Sequence, residues 1–393
     1  MEALTKLKGL AAAVCLVWSL GSAAAQDSLK IGFIATFSGA NGITGQHMYD
    51  GFMLGLDRAG GKLGGMKTEV LKYDDQLKPD VGLKIAREIV EGEKVDFVVG
   101  FGFSNVLLAA AKPILDAKTF LISGNAGPVD FAKGRCSPNL FVASFVNPFK
   151  DEAAGNYFNK KGYKRVYIMA PNYAAGREAL SGFKETFKGE IVGEVYTKLD
   201  QVDYSAELSQ MRAAKPDAAY IFYPGGAGVN FIKQFQQAGL RNEFPLVSKA
   251  TVDATNLQAQ GEAAVGSLEA AHWNADLDNP ANKRFVADFE KKYGYVPSAF
   301  AETSYDVAQI INAAVSEVKG NLSDKDALRK ALEQVKIESP RGPFRFNTNH
   351  FPIQDVYMVK AVKKPDGVVA LKTEELLQKD ISDRFASECS MNK

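Results

Sequence analysis

Cysteine and histidine are scarce: three of each in 393 residues. Structural zinc sites need Cys and His ligands clustered a few residues apart. Neither C-x-x-C nor H-E-x-x-H occurs, and His47, His272 and His350 are far apart in the chain, so neither a metal nor a cofactor is expected. G-x-S-x-G is also missing, which removes the commonest signature of a Ser-His-acid hydrolase. Charge of one sign is not in excess: Lys+Arg 47 against Asp+Glu 46 gives a formal net charge of +1. With no basic run to follow a phosphate backbone, nucleic acid is excluded as a partner. Long apolar runs are limited to residues 9–20, shorter than the roughly 20 residues that cross a bilayer.

That run follows Lys6 and Lys8 and precedes Ala23-Ala24-Ala25, the three-part layout of a secretory signal. Residues 1–25 are read as a signal peptide cleaved after Ala25, which places the mature chain outside the cytoplasm. Cys15 lies inside the apolar core without a Leu three positions earlier, which speaks against a lipoprotein. Cys136 and Cys389 then remain, an even number in an oxidising compartment. They are read as a disulfide tethering the C-terminal tail, with two free buried thiols as the alternative.

What is present suits a globular chain of two domains: 46% hydrophobic and 24% charged residues over this length. Short β-branched and aromatic runs alternate with amphipathic segments of helical length, the pattern of parallel-sheet α/β architecture. Strands are expected at 30–37, 67–73, 96–100 and 119–122, with helices at 44–59, 79–91 and 105–117. Val81, Ile85, Ile89 and Val90, and likewise Leu107, Leu108, Ala111 and Leu115, fall on one helical face. A second set follows residue 145: helices at 148–160, 176–188, 205–214 and 229–238, and strands at 165–170, 190–197, 218–223 and 245–248. Helices at 280–293, 298–318 and 324–334 come next, then strands at 344–346 and 356–361. A run of helices cannot bury its own stripes without a sheet, so these helices are expected to return to the first set before the tail crosses to the second. The result is two doubly wound parallel-sheet lobes joined by three crossovers, near 145, 275 and 350. Residues 26–145 with 276–349 form lobe 1, and 146–275 with 350–393 form lobe 2.

The Gly-rich stretches do not bind nucleotides on this reading. Around 100–103 the third Gly of G-x-G-x-x-G is Asn105, and 224–228 lacks the Lys-Ser/Thr of a phosphate loop. Asp74-Asp75 ends a strand and is read as a cap for the helix after Lys78-Pro79. His47 is read as a polar wall residue. Open parallel sheets bind ligands beyond the carboxyl ends of their strands, which directs attention to the loops at 38–45, 101–105, 123–128, 171–176, 223–228 and 249–253.

These loops carry a resemblance. The runs K-I-G-F-I-A-T-F-S-G (30–39), T-G-Q (44–46), G-G-K-L-G-G (60–65), V-L-K-Y-D-D (70–75), V-V-G-F-G-F-S-N (98–105), F-L-I-S-G-N-A (120–126) and Y-I-F-Y (220–223) are similar, in order and spacing over residues 28–370, to the leucine/isoleucine/valine-binding type of periplasmic receptor. That is the type I periplasmic binding protein fold. The resemblance implies a monomeric periplasmic receptor, not an enzyme, that closes on a small carboxylated ligand and docks on ABC permease subunits. Carried over by residue, the carboxylate clamp falls on Ser104, Asn125, Ala126 and Gly127, and a side-pocket position on Thr44. The second-lobe lid falls on Ala175 with Tyr173 and on Pro224 with Tyr223, and Phe300 matches another pocket position.

Two departures matter. The acid that pairs a ligand ammonium in amino-acid binders aligns with Ala250, with Lys249 before it and Asp253 after; Asp253 is the alternative source of that charge. The family's cysteine pair falls on Leu77 and Phe103, which leaves Phe103 to line the cleft. With Phe101, Phe103, Tyr173, Tyr223 and Phe300 near strand ends, an aromatic acid such as a benzoate or a phenylpropanoid is the leading ligand. A branched-chain amino-acid receptor and a ligand sensor of the same fold are the alternatives.

Overall fold

The computed structural model describes residues 28–392, so the signal segment at 1–25 lies outside the described residues. Two sheets are formed. In the first, β1 (Ser28–Ala35), β2 (Lys62–Leu63), β3 (Met66–Asp74), β4 (Phe97–Gly100), β5 (Phe120–Ser123) and β6 (Leu140–Val142) lie in the order β2-β3-β1-β4-β5-β6. All pairs are parallel except the short β2–β3 hairpin. The order reverses direction between β1 and β4, which opens a crevice beyond their carboxyl ends.

In the second sheet, β7 (Arg165–Pro171), β8 (Glu190–Thr197), β9 (Ala218–Phe222), β10 (Leu246–Lys249) and β11 (Leu268–Ala271) are parallel, with the corresponding crevice between β7 and β9. β12 (Arg345–Phe346), β13 (Pro352–Lys363) and β14 (Val369–Ile381) extend this sheet by antiparallel pairing, β13 against β11 and β14 against β13. Neither β11 nor β14 is in the sequence reading. β14 is a half-exposed edge strand whose Lys and Glu residues hide its alternation, a composition suited to an edge that must not recruit another strand.

The late helices do return to the first sheet. On the Ala299–Glu317 helix, Val307, Ile310, Ile311 and Ala314 share a buried cluster with Leu29, Ile31, Phe33 and Phe52. Its approach to the Gly42–Arg58 helix depends on small residues: a Cβ on Gly51 would lie 1.9 Å from the carbonyl oxygen of Ala301. Side chains of that size could not be accommodated without separating the helices.

The crossovers are tied by a buried ionic cluster. Arg341 donates to Asp306 (2.9 Å), to Gln354 Oε1 (2.7 Å) and to the carbonyl of Ala143 (2.8 Å), and lies 3.2 Å from Glu302. Gln354 in turn donates to the carbonyl of Ser144 at 2.6 Å. One guanidinium therefore spans residues from the first and third crossovers, a role its planar five-donor fork suits. Cys136 and Cys389 are bonded, linking the segment before β6 to the tail across 253 residues of sequence. Among the described residues, no helix is long and apolar enough to cross a membrane.

Candidate ligand-binding cleft

The first wall is prepared by the acidic pair at the end of β3. Asp75 accepts from Thr36 Oγ1 (2.5 Å) and the N–H of Leu77 (2.8 Å), and Asp74 accepts from the N–H of Phe37 (2.8 Å) and Gln76 (2.9 Å). The pair thus braces the loop after β1 and does not cap the next helix, whose N-cap, Lys78, receives no side-chain bond. That loop leads into the Gly42–Arg58 helix, whose first turns carry Thr44 and His47. Thr44 Oγ1 and His47 Nδ1 are buried without a hydrogen-bond partner among the described residues. Burial lowers the His47 pKa to about 4, so it lines the wall as a neutral ring.

Beyond β4, Gly100 and Phe101 both take positive φ (109° and 62°), turning the chain so that Phe103 and Ser104 open the Ser104–Asp116 helix at the cleft. The first N–H groups of a helix have no partner inside it, and they favour an anion. Asn147 Nδ2 donates to Ser104 Oγ at 3.0 Å. The hydroxyl, occupied as an acceptor, keeps its own proton to donate.

The second wall is charged. Lys249 Nζ donates to the carbonyl of Asn147 (2.9 Å) and to Asp151 (2.5 Å), and Asp151 also accepts from Tyr220 OH (2.5 Å). Glu269 accepts from the N–H of Val252 (2.7 Å) and Thr251 (3.1 Å) and from Ser248 Oγ (3.1 Å). Burial first, and Asp253 second, raise its pKa to about 7. Asp253 caps the Ala254–Gln260 helix through the N–H of Thr255 at 2.8 Å, and burial raises its pKa. Lys150, 4% exposed, points its ammonium at the Phe145 ring, 4.0 Å from the centroid.

The two walls meet. Phe103 and Tyr173 approach with ring centroids 6.4 Å apart, and Tyr173 stacks on Phe222 at 6.1 Å, so an aromatic row runs from lobe to lobe. The N–H of Val129 donates to Glu178 Oε1 at 3.2 Å, and Asn147 Nδ2 reaches Glu178 Oε2 at 2.6 Å. At the rim, a Cβ on Gly225 would sit 2.1 Å from Asn41 Oδ1. The lobes are therefore closed over a cavity of about 1080 Å³, ample for a small organic acid on the usual scale of such sites.

Of the residues singled out from sequence, Thr44, Phe103, Ser104, Asn125, Ala126, Tyr173, Ala175, Pro224, Ala250, Asp253 and Phe300 line this cavity. Tyr223 does not. It is fully buried behind β9, packed at 5.1 Å on both Tyr204 and Phe231, with its hydroxyl bonded to Thr197. Neighbouring residues of an extended chain face opposite sides, so Phe222 takes the cleft-facing place. Gly127 does not line the cavity either: it packs on the first crossover, where a Cβ would lie 1.9 Å from the carbonyl oxygen of Phe145, and its carbonyl accepts from the N–H of Asn147 at 2.7 Å. Phe101 is core. The N–H of Ala126 is bonded to the carbonyl of Phe101 at 2.9 Å, so Ala126 has no free amide to give the carboxylate clamp.

Lys150, Glu269, Asn147, Phe145 and Phe222 also line the cleft and were not found from sequence. The signal for Glu269 was available, as a lone acid inside the apolar run Leu268–Ala271. Lys150 carried a weaker one, a charge on the face of its helix that also holds Ala153, Ala154 and Tyr157. Among the described residues no group of His, Cys, Asp or Glu is arranged to hold a metal.

Two α/β lobes facing each other across one cleft have the architecture of a solute receptor. The sequence profile of the periplasmic binding protein family matches residues 28–366, and the chain belongs to that family. Its members are solute-binding proteins, not enzymes. The Leu/Ile/Val-binding protein homolog 6 of Brucella melitensis is 26% identical over 385 residues, covering 95% of this chain and 98% of that protein. A solute-binding protein of an ABC transporter from R. palustris, solved with benzoate, is 31% identical with a TM-score of 0.87, covering 92% of this chain and 99% of that one. Another, from Rhodopseudomonas palustris BisB5 with 3,4-dihydroxybenzoic acid, is 32% identical with a TM-score of 0.86, covering 91% and 99%.

Proposed function

We propose that this protein is the periplasmic receptor of an ABC importer and that its cargo is a small aromatic carboxylate, a benzoate or a phenylpropanoid acid. The observation that carries the reading is the Phe103–Tyr173–Phe222 row beside Ser104. Aromatic faces sandwich a ring, while a hydroxyl and a helix N-terminus hold the carboxylate without a counter-cation. The benzoate and dihydroxybenzoate complexes of the R. palustris proteins support it.

On this reading, cleavage after Ala25 releases a monomer. Lobe 1 (26–145 with 276–349) binds the acid, and lobe 2 (146–275 with 350–393) closes over it; the closed form docks on the permease. Ligand shifts an equilibrium between open and closed forms by its preference for the closed one.

A branched-chain amino acid is the second reading, favoured by Asp253 and Glu269 in the cleft and by the Leu/Ile/Val-binding homologs from Brucella. Against it, both carboxylates are committed to backbone N–H groups, and an α-ammonium would enter a wall that already holds the Lys150 ammonium. Titration calorimetry with benzoate, 4-hydroxybenzoate, cinnamate, leucine and isoleucine separates the two. Aromatic acids are expected to bind and leucine not to; tight leucine binding with no aromatic acid bound overturns the proposal.

A further inference from the structure

Two buried lysines line the second wall, and their surroundings differ. Lys249 is saturated, with a carbonyl and a carboxylate on its ammonium. Lys150 Nζ has no hydrogen bond and no ion pair among the described residues; its close neighbour is the Phe145 ring. The acids around it are spent elsewhere: Asp253 on Thr255, Glu269 on Val252, Thr251 and Ser248, Asp151 on Lys249 and Tyr220. An ammonium carries three donors; Lys150 Nζ is not one of the sealed, partnerless polar atoms of the described residues, so its donors face the cavity that Lys150 lines. The ring beneath attracts the ammonium through its negative face, but only from one side.

We propose that Lys150 is a second anchor for the ligand, and that the cleft selects aromatic acids bearing, away from the carboxylate, a second oxygen acceptor: a ring hydroxyl or a second carboxylate. This inference rests on the aromatic-acid reading. It assigns one end of the ligand to Ser104 on the first wall and the other to Lys150 on the second, so that a two-ended acid ties the lobes together across the cleft. Such a ligand makes a contact in the closed state that it cannot make in the open one, which is the differential affinity that closure requires. Burial and the nearby charge of Lys249 bring the Lys150 pKa down to about 8, in keeping with an ammonium awaiting an acceptor.

The test is calorimetry at pH 7 on wild type, Lys150→Met and Lys150→Gln, with benzoate, 4-hydroxybenzoate and benzene-1,4-dicarboxylate. Wild type is expected to bind at least one of the two-ended acids about tenfold or more tighter than benzoate, a difference of about 1.4 kcal/mol. In the variants that ratio should fall to about threefold or less while the benzoate Kd holds within about threefold. Circular dichroism confirms folding, and Lys150→Gln supplies the ratio if the methionine variant does not fold. A gain for the hydroxyl acid alone or for the dicarboxylate alone identifies which acceptor Lys150 takes, and either one supports the proposal. Equal binding of all three acids by wild type overturns it, as does a ratio that survives in the variants. So does an equal loss of benzoate, which would place Lys150 on the shared carboxylate. Failure of wild type to bind any aromatic acid overturns the aromatic-acid reading itself.

Discussion

The first wall of the cleft offers the ligand neutral groups: a hydroxyl on Ser104, a helix N-terminus, Thr44 and an uncharged His47. The second wall offers Lys150, Lys249, Asp253 and Glu269, all buried. A neutral wall is inexpensive to desolvate when the cleft closes. Charges are not, and they are tolerated when paired or bonded. The contrast shows a division of labour: the second wall's charges mostly hold the protein together, and one of them, Lys150, does not.

The strongest way to break that division is to remove a charge assigned to structure. Lys249→Met strands the buried Asp151 carboxylate and is expected to destabilise the protein by roughly 3–5 kcal/mol in urea denaturation. A loss below about 1 kcal/mol would show that the pair is not structural. Lys150→Met should act in the opposite direction. A folded pKa of about 8 lies below the ordinary 10.5, so the unfolded chain binds the proton more tightly and the penalty is fully present below pH 8. Ligand-free Lys150→Met should therefore be more stable than wild type by roughly 1–2 kcal/mol at pH 7, and the advantage should shrink as pH rises from 8 to 10.5. Chemical denaturation across that range checks both sign and window.

The smallest effect sharpens the neutral wall. His47 has a folded pKa of about 4 against 6.5 unfolded, so as pH falls through that window the unfolded chain takes up the proton first and stability is lost. His47→Gln should reduce the acid-induced loss between pH 6.5 and 4 by about 1 kcal/mol. In NMR titration the wild-type ring should remain neutral at pH 5.5.

How much of this was legible can be argued from single residues. Alternation placed β9 correctly, yet the cleft-facing ring is Phe222 and not Tyr223, because one residue of parity decides which side of the sheet a side chain reaches. Gly127 and Ala126 sit in the loop that the resemblance indicated, but the first is taken by the crossover at Asn147 and the second by the carbonyl of Phe101. Asp74 and Asp75 had the composition of a cap and became a brace, since the N–H groups they meet belong to Phe37, Gln76 and Leu77. β14 escaped notice because an edge strand with both faces half-wet loses the period-2 signal.

The sequence by itself determined the α/β class, most of the strands and helices in their order, and the strand-end loops that form the cleft, because these follow from local periodicity and turn chemistry along a continuous stretch of chain. Only the tertiary structure decided which donors in those loops are consumed and which remain for a ligand. Lys249 is satisfied by a carbonyl 102 residues away, while among the described residues Lys150 has no such partner, and no local pattern records whether a distant acceptor arrives.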